Sequence, residues 1–105
     1  MDKIAPEIKD LAEQYVKKLN ENNIRIKRAL IFGSQTLQRA NEWSDIDIAL
    51  VSDDFEGIRY KDKDKIRKIT LSISPMLSPL PFKTEDFSGQ DPLVRHILKT
   101  GTELQ

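Results

Sequence analysis

Two aspartates two residues apart, Asp45 and Asp47, flank Ile46 at the start of the apolar run Ile46-Asp47-Ile48-Ala49-Leu50-Val51. On a β-strand, side chains at i and i+2 share a face and sit roughly 6.6–7 Å apart at Cα. Both carboxylates therefore project to one side while Ile46 turns the other way. Carboxylates that converge repel unless a cation lies between them, and hard oxygen donors of this kind suit Mg²⁺ or Mn²⁺. Two such ions roughly 3.5–4 Å apart can clamp the attacking and leaving oxygens of an in-line phosphoryl displacement.

Upstream, Gly33-Ser34 closes a second apolar stretch, Ala29-Leu30-Ile31-Phe32. Glycine lets backbone approach a ligand closely, and serine adds a hydroxyl donor. A short helix over 35–40 would aim its free amides at the same ligand, and a helix N-terminus favours anions. Neither Gly-Ser nor Asp-x-Asp is informative alone. Their combination, each at the end of a buried strand, is far more specific. The plainer readings make Ser34 a helix cap and the aspartates a strand cap and an edge residue. Capping is compatible with phosphate binding, so it does not discriminate.

The elements that must position these residues follow from periodicity. Pro6, Ile8, Leu11, Ala12, Tyr15, Val16 and Leu19 predict an amphipathic helix, ended by Asn20-Glu21-Asn22-Asn23. A strand is expected from Ile24 to Phe32, apolar on both faces at its end as in a deep sheet position. A second runs over Ile46–Val51. Tyr60 to Ile73 reads as a helix with the charged outer start Lys61-Asp62-Lys63-Asp64-Lys65, although Ile69 to Ile73 also has strand character. Pro75, Pro79 and Pro81 exclude a long helix there, and Leu77–Lys83 is expected as an edge strand. Thr84 to Phe87 should form one turn. Asp91 is placed to cap a last helix with Pro92 at its first position, running towards Gly101. The fold class is α/β (α+β): one domain over residues 1–105, with a small mixed sheet packed against helices.

Composition narrows the function. The 105 residues carry seventeen Lys and Arg against seventeen Asp and Glu, a net charge of zero. That balance argues against binding of bulk nucleic acid, which needs positive excess to displace counterions. With no cysteine and the single histidine His96, thiolate and multi-histidine metal sites are excluded. No apolar run approaches the ~20 residues of a membrane span, and Met1-Asp2-Lys3-Ile4 lacks the apolar core of a secretory signal. A cytoplasmic protein is expected. Trp43 reads as a lid over the sheet edge in preference to a base-stacking platform, Arg39 as a phosphate-steering or a solvated residue, and His96 is given no catalytic role.

The spacing of Gly33-Ser34 and Asp45-x-Asp47 resembles that of the minimal nucleotidyltransferases, in the polymerase-beta-like superfamily. Leu30-Ile31-Phe32-Gly33-Ser34 and Trp43-Ser44-Asp45-Ile46-Asp47-Ile48-Ala49-Leu50 look like that family's pattern almost residue for residue. Pro79 to Phe87 and Asp91 to Gly101 are also similar to members. The resemblance implies the polymerase-beta-like fold and transfer of a nucleoside monophosphate, typically AMP from ATP, with pyrophosphate leaving. Gly33 and Ser34 match triphosphate-binding positions; Asp45 and Asp47 match the catalytic metal ligands, for Mg²⁺ or Mn²⁺. It further implies an acceptor hydroxyl on a helical companion, in some pairs an HEPN-type toxin silenced by adenylylation of a tyrosine. A homo-oligomer is the other way to enclose an acceptor. Two departures stand out: Gln38 occupies a position where many relatives have glycine, and Ser78 stands where a third carboxylate is usual. The alternative is therefore a catalytically weakened, antitoxin-like or nucleotide-binding subunit that acts by binding a helical partner.

Overall fold

The computed structural model describes residues 6–32 and 45–104. Helix α1 spans Pro6–Glu21 and buries Ala12, Tyr15 and Leu19, the three- and four-residue spacing of its apolar stripe. It ends where Asn23 takes a left-handed conformation at φ 68°, a geometry asparagine tolerates. The Ile24 amide then reaches back to the Leu19 carbonyl at 3.0 Å, satisfying an acceptor left open by the last turn.

The first strand, β1, covers Arg28–Phe32 and begins later than the apolar alternation from Ile24 suggests. The Arg25 amide donates to the Asp54 carboxylate at 2.8 Å and the Ile26 amide to the Asn20 side chain at 2.9 Å. Side chains rather than a neighbouring strand hold this backbone, and Ile24 and Ile26 pack against the core from a loop. Strand β2, Ile46–Ser52, pairs antiparallel with β1, and helix α2, Arg59–Ile73, carries the chain to β3, Leu77–Lys83, parallel to β2. Residues 69–73 are thus helical. A parallel neighbour requires such a crossover. A single 3-10 turn at Thr84–Asp86 leads to helix α3, Pro92–Thr100, where the Asp91 carboxylate accepts from the Leu93 amide at 2.8 Å as the expected cap.

A fourth strand escaped sequence reading. Thr102–Glu103, β4, pairs antiparallel with β1 and gives the order β3-β2-β1-β4. Two residues carry no periodic signal. Their entry depends on Gly101, where a Cβ would lie 2.6 Å from the Ile97 carbonyl oxygen and 3.2 Å from that of Ile31.

The sheet separates two apolar layers. Ala29, Ile31, Ile46, Ile48, Leu50 and Leu77 pack with α1 and α2, while Leu30, Ala49, Val51 and Phe82 pack with Val94 and Ile97 of α3. Strand β3 is at an edge, as its prolines require. The Ile46 amide donates to the Met76 carbonyl at 2.8 Å, so Met76, and by alternation Ser78, Leu80 and Phe82, direct their backbone groups towards β2. Pro79 and Pro81 consequently face outward, where no ladder bond is lost.

Asp62 corrects the expectation of a wholly solvated start to α2. Its carboxylate is buried and accepts the amides of Glu56 at 2.8 Å and Gly57 at 3.0 Å, anchoring the approach to the helix. The lysines on either side are exposed.

Between α1 and α2, the Tyr15 hydroxyl lies 2.6 Å from Thr70 Oγ1, which itself donates to the Ile66 carbonyl at 2.9 Å. With the threonine proton so committed, tyrosine is the donor. Burial is the main cause that pushes the Tyr15 phenol up from 10 to about 12. Because the folded value is the higher, this contribution is complete below pH ~10 and lost as pH rises through ~12. At about 1.4 kcal/mol per unit it amounts to about 3 kcal/mol. Denaturant melts of wild type and Tyr15→Phe should therefore converge between pH 10 and 12, the wild type losing stability more steeply.

Candidate active site

Strand β2 is held on both sides, and this fixes the direction of its carboxylates. Ile46 is 1% exposed in the core beneath them, and Ile48 and Leu50 continue the same buried row. The opposite parity belongs to Asp47, Ala49 and Val51. Ala49 and Val51 lie under α3, while Asp47 is half-buried and Asp45, just before the strand, is exposed. Burial first, and the negative charge of Asp45 second, hold the Asp47 carboxyl above the usual carboxylate range. Asp45 is thus close enough for its field to act on Asp47. The two aspartates stand two residues apart at one end of the central strand.

Register supplies the neighbours. Asp47 stands opposite Phe32 on β1 and Ser78 on β3. Strands lie about 4.8 Å apart and paired side chains share a face, so Asp47 is flanked by the end of β1 on one side and a hydroxyl on the other. Phe32 leads directly into Gly33 and Ser34, which lie outside the described residues, as do Gln38, Arg39, Trp43 and the proposed 35–40 helix.

Ser78, near which the resemblance places a third acid, is thus the β3 neighbour of Asp47. The nearest acids downstream, Glu85 and Asp86, are exposed in the turn after β3. Lys83, at that end of β3, pairs with Ser52 at the far end of β2, so these acids stand roughly 20 Å from Ser78 along the strand. His96 lies exposed on α3. Among the described residues no group of three or more His, Cys, Asp or Glu is arranged to hold a metal. The donor set is two carboxylates. Such a pair fits Mg²⁺, which keeps several waters and usually takes one or two carboxylates together with substrate phosphates.

The family described as Polymerase beta, Nucleotidyltransferase matches residues 13–105. The chain belongs to that family. The nucleotidyltransferase fold is also that of a Sulfolobus solfataricus crystal structure, described as a nucleotidyltransferase by assignment. It is 17% identical, with a TM-score of 0.63, covering 92% of this chain and 78% of the other. No curated protein matches the chain by sequence. The small α+β architecture with its four-stranded mixed sheet is accordingly a polymerase-beta-like nucleotidyltransferase fold.

The raised Asp47 value has a consequence for stability. A carboxylate held above its ordinary value of 3.8 favours the folded state fully below that pH, and the benefit is lost as pH rises through the folded value. At pH 7 the ionised pair opposes folding. Asp47→Asn should melt at a higher temperature than wild type at pH 7, the difference shrinking towards pH 3. By carbon-detected NMR titration, Asp47 in Asp45→Asn should titrate lower than in wild type yet stay above 3.8, because burial remains.

Proposed function

We propose that this nucleotidyltransferase moves a nucleoside monophosphate, AMP from ATP, to an acceptor hydroxyl. What supports the reading is the closeness of Asp45 to the half-buried Asp47 at the end of β2, beside the strand that runs into Gly33-Ser34, in a chain of this family. Asp45 and Asp47 hold Mg²⁺ or Mn²⁺, which neutralises phosphate charge and orients the reacting oxygens. Gly33 and Ser34 receive the β- and γ-phosphates. The acceptor oxygen attacks the α-phosphorus in line, the bond to the bridging oxygen breaks, and pyrophosphate departs. Ile46, locked in the core, keeps the two carboxylates aimed, so the contribution of the chain is positioning and charge neutralisation.

The acceptor belongs to a helical companion, an HEPN-type toxin in a toxin–antitoxin pair, and the likeness of Leu30–Ser34 and Trp43–Leu50 to minimal nucleotidyltransferases supports this. Among the described residues no helix is long and apolar enough to cross a membrane. Together with the absence of cysteine, this favours the cytoplasm as the place of action.

A second reading has its own support. Ser78 beside Asp47 leaves the pair without a third acid from β3, which suits a weakened subunit that binds nucleotide or partner without turnover. Calorimetry with Mg²⁺–ATP separates the two. Wild type should bind only with metal present, and Asp45→Asn with Asp47→Asn should weaken binding by at least about tenfold, or 1.4 kcal/mol. Incubation with labelled ATP and the protein encoded by the neighbouring reading frame should then label that protein. Metal-dependent binding without labelling would support the weakened subunit, and no metal-dependent binding would end the transferase reading.

A further inference from the structure

Helix α2, which the proposed reaction leaves unused, is unlike the rest of this neutral chain. The helix carries six cations, Arg59, Lys61, Lys63, Lys65, Arg67 and Lys68, against two carboxylates. One of those, Asp62, is buried against the amides of Glu56 and Gly57 and offers solvent no charge. The other, Asp64, pairs with Arg67 at 2.8 Å, with both side chains about two-thirds exposed. An ion pair so exposed is worth little and exchanges partners easily.

Lys63, Arg67 and Leu71 recur at four-residue intervals and so form one stripe. That stripe borders a groove of about 230 Å³ between α2 and the outer edge of β3, floored by Leu77, Ser78 and Pro79. Leu71 is 60% exposed, a large apolar side chain standing at the rim. Ser78 borders this groove and, as the register partner of Asp47, also faces the candidate active site on the opposite side of the sheet.

The chemistry of the edge limits what can lie there. The Leu77 amide is spent on the Ser74 carbonyl at 3.3 Å, and Pro79 and Pro81, which face outward, have no amide. An added β-strand needs donors as well as acceptors from the edge it joins, and this stretch presents no free donor. A helix satisfies its own backbone and asks only for apolar contact and complementary charge.

We infer that the groove between α2 and β3 docks an amphipathic helix of a partner protein, its apolar stripe on Leu71, Leu77 and Pro79 and its flanking carboxylates on Lys63 and Arg67. This rests on the transferase reading only in making that partner the acceptor, held at the β3 edge of the same sheet.

The test uses the full chain, ¹⁵N-labelled, and two helical probe peptides with the same leucine stripe, one flanked by glutamate and the other by lysine. The glutamate peptide should shift the amides of Lys63, Arg67, Leu71, Leu77 and Ser78, bind more weakly as salt rises, and lose at least about tenfold in affinity to Lys63→Glu with Arg67→Glu. The lysine peptide should not bind. Equal binding of both peptides, shifts centred elsewhere, or preferential binding of a single-stranded RNA oligomer to the same amides would overturn the inference. Calorimetry with Mg²⁺–ATP on the same double variant should match wild type. A wild type that takes the glutamate peptide but no Mg²⁺–ATP would retain the docking surface and remove the transferase.

Discussion

Two like charges held on one side of one strand are the constraint around which this molecule is arranged. Left to themselves, Asp45 and Asp47 would part or one would take up a proton; burial first, and the charge of Asp45 second, raise the Asp47 carboxyl. The strand cannot relieve this by turning over. A half-rotation of β2 would expose Ile46, Ile48 and Leu50, three of the most deeply buried side chains in the protein. Pairing on both flanks closes the other escape, because a slip of one residue would exchange the apolar rows on both faces at once. Hydrophobic burial on the reverse face thus offsets an electrostatic cost on the obverse, and a cation is the natural relief.

The remainder of the fold serves this strand from two sides. α1 and α2 cover the face that carries Ile46 and are joined by the buried contact from Tyr15 to Thr70. α3 covers the other face only as far as Ala49 and Val51, beyond which Asp47 meets solvent. Among the described residues, that nine-residue helix stops short of the strand end that carries Asp47. Ser78 faces that end on one side of the sheet and borders the α2 groove on the other, giving a single strand position a part in both.

Much of this was legible in sequence because the signals were local. The stripe of α1, the doubly apolar end of β1, the cap of α3 and the prolines of β3 each follow from a few neighbouring residues. What sequence could not convey was non-local. Ile24 and Ile26 mimic a strand, yet their segment is held by Asn20 and by Asp54, which is distant in sequence. Asp62 looks like its charged neighbours and differs only because the amides of Glu56 and Gly57 fold back onto it. The strand at Thr102–Glu103 exists only because Gly101 clears the carbonyls of Ile97 and Ile31. For the site, type and spacing nominated the pair, but that Ser78 is the neighbour of Asp47 needed the register of a parallel pairing.

The two rims of the described sheet bear on how the protein behaves when crowded. One rim is a strand whose outward positions include two prolines, and the other is a strand of only two residues. Sheets grow into fibrils by recruiting further chains along such rims, and both devices deny the newcomer a ladder. Concentrated solutions of the native protein should accordingly stay free of ordered β-aggregate, and clumping, when it comes, should wait on partial unfolding.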